Sequence, residues 1–389
     1  MKPMSKRRRT LILVLGALII LPSLAYGWAR LSTSSSGLAR AIVWMDADVR
    51  DYTRFPARTM LESEQPLTFE TREVSVDFEL DTGMPGEDLD SFLKQTETAA
   101  FIAIRDDEVI AERYYNGYNE ASTVTSFSVA KSFISALIGI ALEDGAIGSI
   151  DDPVTRYLSE LEERDPRFGD ITIHHLLTMS SGLRFEEQGL PWSDDAKTYY
   201  ATDLRTLALE DTEIVEPPGR TFHYNPYNTL LLGLILERAT GERVSDFMQD
   251  ELWQPMGAVA PGTWSLDSHE SGFEKMESGL NGRAIDLAKL GLLYLHDGTL
   301  NGRAILSEAW VRESTRYTEE TDPSPGYQYQ WWIYRDPSFG EWYLARGNRG
   351  QFIAVFPEDD LVIARFGIDF GYEDWTGALP RLAQAYAEA

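Results

Sequence analysis

The stretch Ser128-Val129-Ala130-Lys131-Ser132-Phe133-Ile134-Ser135-Ala136-Leu137-Ile138-Gly139-Ile140-Ala141-Leu142-Glu143 governs how the rest of the chain is read. Val129, Phe133, Ile134, Leu137, Ile138, Ile140, Ala141 and Leu142 leave it apolar on nearly every side, the pattern of a helix buried all round. Gly145 ends it. A serine and a lysine three residues apart share one helix face, so the Lys131 amine reaches the Ser128 Oγ. Unpaired N–H groups at the helix start favour negative charge where an oxyanion would form. A lysine sunk in apolar surroundings is pushed toward its neutral form and can take the serine proton. The same letters also describe a buried hydroxyl bonded to its own helix start beside a snorkelling lysine. A second copy, Ser91-Phe92-Leu93-Lys94, lies in a short amphipathic helix expected over 87–95. Its polar face keeps Lys94 solvated, which makes it an internal control.

Outward from that helix the period changes. Ala99-Ala-Phe-Ile-Ala-Ile-Arg105 and Val109-Ile-Ala-Glu-Arg-Tyr-Tyr115 read as two strands of a hairpin turning at Asp106-Asp107. Residues 150–300 are mostly helical in pattern, with helices expected over 173–179, 203–210, 228–239 and 283–296. Beyond them, 327–333, 342–344, 352–356 and 361–366 read as strands, and 375–388 as a closing helix. Strands at both ends around a helical middle predict an α+β fold of the α/β sandwich type. Its antiparallel sheet is built from N- and C-terminal segments and flanked by helices, with a large, mostly helical insertion over about 150–280.

The N-terminus is set apart by charge. The chain carries −27 overall, yet residues 1–9 hold five Lys and Arg and no acid, so the remainder stands at −32. An uncharged run from Leu11 to Trp28 follows, close to the length that crosses a hydrocarbon core of about 30 Å. Such a run behind a basic cluster exports what comes after it, as a membrane anchor or as a cleaved signal with a poor site at Ala25-Tyr26-Gly27. Residues 1–28 are therefore read as tail and anchor or signal, 29–75 as a connector without sustained periodicity, and 76–389 as the body. The body is then periplasmic or otherwise extracytoplasmic, and secreted if the segment is cleaved.

Several chemistries drop out. The acidic body repels phosphate backbones, so nucleic acid is not an expected partner. Zero cysteine removes thiol nucleophiles, disulfides and thiolate metal sites, and five histidines without ligand spacing give no metal site; no cofactor is expected. No Gly-x-Ser-x-Gly, P-loop or dinucleotide-binding glycine pattern occurs. A second candidate locus is Pro217-Pro218-Gly219-Arg220-Thr221-Phe222-His223-Tyr224-Asn225-Pro226, a proline-restricted loop entering an apolar helix. It can hold Tyr224 rigidly with its hydroxyl toward a pocket, where a nearby ammonium would favour proton shuttling. Equally, Tyr224 can be a packing tyrosine.

These blocks resemble the serine hydrolases of the class C β-lactamase and DD-peptidase type, most closely the branch of 6-aminohexanoate-dimer hydrolases and related esterases. The resemblance runs from about residue 95 onward. It rests on Ser128-Val-Ala-Lys-Ser-Phe133, Ile173-His-His-Leu-Leu-Thr-Met-Ser-Ser-Gly-Leu183, Pro218-Gly-Arg-Thr-Phe-His-Tyr-Asn225, Trp253-Gln-Pro-Met-Gly257, Asp286-Leu-Ala-Lys-Leu-Gly291 and Gly347-Asn-Arg-Gly-Gln351 in that order. It implies that Ser128 is the nucleophile, Lys131 its activator and Tyr224 the relay to the leaving group. It also implies that the strand triplet Ala345-Arg346-Gly347 lines the acyl pocket, with a second oxyanion N–H in Gly350-Gln351. Two departures stand out: Pro226 replaces the amide donor of a Tyr-x-Asn pattern, with Asn225 or Asn228 as substitutes, and the triplet lacks its lysine, with Arg346 or Arg349 as substitutes. Equally, both arginines can be solvated strand-edge charges. The expected activity is hydrolysis of a small amide or ester through a Ser128 acyl-enzyme. The alternatives are a β-lactamase or DD-peptidase, and a catalytically silent ligand-binding sensor on the same fold. No oligomeric state is read from the sequence.

Overall fold

A computed structural model describes residues 6–76, 88–319 and 322–389. An eight-stranded sheet runs in the order Tyr327–Gln328, Trp331–Asp336, Gly340–Gly347, Gln351–Phe356, Leu361–Gly367, Thr98–Arg105, Glu108–Tyr114, Glu70–Thr71. All pairs are antiparallel except the last, so C-terminal strands meet the N-terminal hairpin at Leu361–Gly367 against Thr98–Arg105. Both faces are covered, which explains near-continuous apolar strands where one wet face would alternate. Ile102, Ile104, Ile353 and Val355 enter the larger core, with the serine helix Ala130–Glu143 and the tyrosine helix Pro226–Thr240. Phe101, Ala103, Phe352 and Ala354 face the other core, under the C-terminal helix Trp375–Glu388. The helix Ala284–Leu295 lies against the sheet at Gly291, where a Cβ would come within 2.7 Å of Val362 and 2.8 Å of Ile353.

The expected architecture is found: α+β, an antiparallel sheet from the two ends of the chain, helices on both sides and a mostly helical middle. Three local differences matter. First, 327–333 is not one strand. Tyr329 and Gln330 take φ of 36° and 68°, and Tyr327 pairs with Trp332 and Gln328 with Trp331, a two-residue hairpin. Tertiary bonds hold this turn without glycine: the Gln330 amide donates to the carbonyls of Leu176 and Leu177, and Ser132 of the serine helix donates to the Gln330 carbonyl. Second, residues 29–75 are not a bare connector. They form the helix Gly37–Trp44 and the strand Ala57–Met60, which pairs with Gly262–Ser265 in a four-stranded sheet that also contains Leu280–Arg283 and Thr123–Thr125. Third, the Ser91 helix spans Leu89–Gln95 with Asp88 as its cap, and Glu87, its expected start, lies outside the described residues.

At the N-terminus the helix Lys6–Leu31 runs through Pro22 and is apolar and long enough to cross a membrane over Ile12–Leu31. Ala29 is fully buried, and the helix packs against Gly37–Trp44.

Candidate active site

The strand Thr123–Thr125 delivers the chain to Ser128 through a forced turn. The Ser126 N–H donates to the Leu280 carbonyl at 2.9 Å, pinning the backbone to the neighbouring strand. Phe127 then takes φ of 42°, in the left-handed region that a bulky residue occupies only under constraint, at a cost of about 1–3 kcal/mol. A 3₁₀ turn over Phe127–Val129 leads into the long helix, leaving Ser128 half-buried at its start.

Lys131 is 1% exposed, and its Nζ donates to Ser128 Oγ at 3.0 Å and to the Glu277 carbonyl at 2.8 Å. The carbonyl fixes the ammonium end, and a neutral amine in that position can accept the hydroxyl proton along the same line. Beneath it the Glu277 carboxylate accepts from Ser278 Oγ at 2.7 Å and from Lys275 Nζ at 3.2 Å. Burial holds the Lys275 amine below its ordinary value, against the pull of Glu277.

Tyr224 closes the constellation from the loop before its helix. Its ring centroid lies 5.3 Å from Lys131 Nζ, and it stacks on Trp332 at 5.7 Å with Tyr327 edge-on. The two-residue hairpin at Tyr329-Gln330 is what brings Trp332 there. Burial, with the neighbouring Tyr224, pushes the Tyr327 phenol far up, so it keeps its proton. Two other tyrosines line the same pocket, Tyr199 and Tyr200, and both hydroxyls are engaged: Tyr199 donates to Asp51 at 3.0 Å and Tyr200 to the Met45 carbonyl at 2.7 Å.

Ser128, Lys131 and Tyr224 all line one pocket of about 980 Å³, within the size range of small-molecule sites. Arg346, Gly347, Asn348 and Arg349 form its strand side. Gly347 is the point of closest approach: a Cβ there would sit 2.5 Å from the Ser126 carbonyl oxygen and 3.1 Å from the Ser128 nitrogen. Arg346 is exposed at the rim, whereas Arg349 donates to the Ala47 carbonyl at 2.6 Å and pairs with Asp369 at 3.5 Å.

The remaining expected binding residues are used elsewhere. Asn225 is buried: its side chain caps the tyrosine helix by accepting from the Tyr227 N–H and donates to the Leu183 carbonyl. Asn228 accepts from Ser181 at 2.6 Å inside the fold. Gln351 donates to the carbonyls of Asn348, Arg349 and Gly367, and the Gly350 carbonyl accepts from buried Arg365. Neither Gly350 nor Gln351 reaches the pocket wall; together they brace the turn that carries Asn348. Gly347 and Asn348, rather than Gly350 and Gln351, are the strand-end backbone that lines the pocket beside Ser128.

The sequence reading missed a further part of the lining, made by Ala41, Ile42, Met45, Asp46 and Ala47 and by the loop residues Phe185, Glu187, Leu190 and Pro191. One signal was present: Ser36 ahead of the apolar run Gly37–Trp44 is a helix start, and its side chain does accept from the Ala39 N–H. Among the described residues no cluster of three or more His, Asp or Glu is placed to hold a metal ion.

Comparison with known proteins adds the family. The beta-lactamase family profile matches residues 88–387. A 6-aminohexanoate-dimer hydrolase of Paenarthrobacter ureafaciens is 28% identical over 304 residues, covering 72% of this chain and 74% of the relative. An esterase of Burkholderia gladioli is 30% identical over 146 residues, covering 33% of this chain and 36% of the relative. A solved structure from Bacillus anthracis, provisionally named a 6-aminohexanoate-dimer hydrolase, superposes with a TM-score of 0.77 at 22% identity, covering 87% of this chain and 94% of its own. At that identity the likeness is one of fold.

Proposed function

This chain belongs to the beta-lactamase family and is a serine hydrolase, and on that premise we propose that it cleaves a small amide or ester through an acyl-enzyme on Ser128. The observation that carries this is the 3.0 Å contact of a buried Lys131 amine with Ser128 Oγ inside a pocket that also holds Tyr224. Lys131 takes the Oγ proton as Ser128 attacks the carbonyl carbon. The tetrahedral oxyanion is met by the N–H of Ser128 and by that of Asn348, next to the close approach at Gly347. Tyr224 relays the proton to the leaving amine or alcohol, and the acyl group stays on Oγ. A water then attacks the ester, its proton returning through the same pair, and the acid departs.

The branch reading has its own support. Pro226 carries no donor, and the amides of Asn225 and Asn228 are engaged within the fold, which favours a small amide or ester over a β-lactam. Arg346 is the residue proposed to contact the acyl side of the substrate, with Gly347 lining it. We further read Lys6–Leu31 as a retained anchor with the body extracytoplasmic, 76–389 as the hydrolase domain with its insertion over about 150–280, and 29–75 as a segment that completes the pocket.

The test is a fluorophosphonate probe with a panel of p-nitrophenyl esters on the intact chain. Label on Ser128, and an ester activity reduced about 10²-fold or more in Tyr224→Phe, is the expected result. No label on Ser128, or label on Ser91, overturns the assignment. Membrane fractionation with an N-terminal mass tests the anchor, and a soluble product starting near Trp28 overturns it.

A further inference from the structure

The helix Gly37–Trp44, Gly-Leu-Ala-Arg-Ala-Ile-Val-Trp, is apolar on both faces, and only one face is covered by protein. Ala39, Arg40 and Ala41 are buried, with Arg40 donating to the carbonyls of Thr33, Tyr200, Ala201 and Asp267. Gly37 lies so close to the body that a Cβ would come within 2.9 Å of the Tyr200 carbonyl oxygen. The opposite face presents Leu38, 43% exposed, and Ile42, 38% exposed, one turn apart, with Met45, 72% exposed, at its end. A helix facing water would carry polar groups there. Ile42 and Met45 also line the mouth of the Ser128 pocket, as does Leu190 on the loop across it, and Trp192 beside that loop is 63% exposed. Ile42, Met45 and Leu190 form an apolar collar on the pocket, broken by Asp46 and Glu187, and Leu38, one turn from Ile42, and Trp192, two residues from Leu190, continue the exposed apolar surface outside the lining.

The collar adjoins the membrane segment. The long helix ends at Leu31, a short turn over 32–36 follows, and Arg40 ties the Thr33 carbonyl into the body. Ala29 is fully buried and the long helix packs against Gly37–Trp44, while Tyr26 and Trp28 are exposed as interfacial aromatics are. Between Leu31 and Ala47 the only basic residue is buried Arg40, so nothing in this stretch favours an anionic surface by charge. The attachment is apolar.

We infer that the Ser128 pocket opens at the bilayer surface and takes an amphiphilic ester or amide whose aliphatic acyl chain enters from the lipid past Leu38, Ile42, Met45, Leu190 and Trp192. This rests on the proposal that Ser128 acts as nucleophile and that Lys6–Leu31 remains as an anchor. The full chain is reconstituted in phosphatidylcholine vesicles and assayed with p-nitrophenyl dodecanoate in the bilayer and p-nitrophenyl acetate in water. The dodecanoate-to-acetate ratio of kcat/KM is expected to fall at least tenfold in Leu38→Glu/Trp192→Glu, and to change little between low and high salt. Because the chain has no cysteine, Met45→Cys and Lys94→Cys carry a polarity-sensitive fluorophore at single sites. Protection of the label at position 45 from aqueous iodide in vesicles, with position 94 open to it, is the expected result. A ratio that does not move, or protection that depends on protein concentration and so marks a second copy of the chain, overturns the inference while acetate turnover leaves the hydrolase reading standing. Loss of acetate turnover together with Ser128 labelling in the parent chain overturns both.

Discussion

Ser91 and Lys94 stand at the same spacing as Ser128 and Lys131, and the two pairs differ in everything except spacing. Ser91 sits in a seven-residue helix whose inner face, Phe92 and Leu93, is buried while Lys94 is exposed. Its hydroxyl donates to Asp88 at 3.0 Å and its N–H to the same carboxylate at 2.8 Å, so the serine belongs to the helix cap. Ser128 opens a helix buried on all sides, and its partner amine is 1% exposed and held by the Glu277 carbonyl. A lysine in water keeps its rotamer freedom and its hydration shell. A lysine inside the core has neither, and its few hydrogen-bond partners fix where the nitrogen lies. The motif supplies reach, and the surroundings decide whether reach becomes chemistry.

The sharpest way to break this contrast is to delete each serine. Ser128→Ala is expected to lower kcat by about 10⁴-fold or more, as for other acyl-enzyme nucleophiles, and to abolish probe labelling. Ser91→Ala is expected to stay within about twofold in the same ester assay, since surface substitutions act weakly. Equal losses in both would end the distinction. Next in size is the lysine pair: Lys131→Ala is expected to cost about 10³-fold in kcat by removing the proton acceptor, and Lys94→Ala almost nothing.

The strand that faces Ser128 gives a smaller effect. Gly347→Ala places a Cβ against backbone atoms, 2.5 Å from the Ser126 oxygen, and has to shift the Gly347-Asn348 turn. About a 10²-fold fall in kcat is expected, the scale of one lost oxyanion donor. Gly169→Ala serves as the control, because nothing lies within 4 Å of a Cβ there. The smallest effect belongs to the Ser91 side. Bonds from the Ser91 backbone and hydroxyl hold the Asp88 carboxyl below its ordinary value. The cap is then at full strength above the unfolded-chain Asp value of about 3.9 and weakens as pH falls through the lowered folded value. The protection of amides over 91–94, their exchange relative to the free-chain rate at the same pH, should fall on acidification in that window, and Asp88→Ala should lower it at neutral pH and remove this acid dependence.

How far the letters carried can be judged from particular residues. The buried helix at Ser128 was legible because apolar groups on every side leave it no wet face. The hairpin and three of the four C-terminal strands were legible from runs too apolar for water, and the tyrosine helix from its apolar run over 230–236. The turn at Tyr329-Gln330 was not, since its positive φ angles are held by Leu176, Leu177 and Ser132, which are remote in sequence. Asn225 was misjudged for a related reason. A buried asparagine before a helix proline can face a pocket or cap the helix, and the Tyr227 N–H and Leu183 carbonyl decide for the cap. Residues 29–75 showed no sustained period because their short elements are completed by partners more than a hundred residues away.

Local periodicity and spacing thus determined the fold class and the serine–lysine pair to examine, because burial patterns and one-turn contacts are written along the chain, while the family and the choice of Tyr224 came from the resemblance of whole motif blocks. Which Ser-x-x-Lys pair is sunk in the core, which pocket tyrosine has no hydroxyl partner among the described residues, and that the segment after the long N-terminal helix lines the pocket were decided only in three dimensions. Each depends on contacts between segments far apart in sequence, and no window along the chain holds both partners.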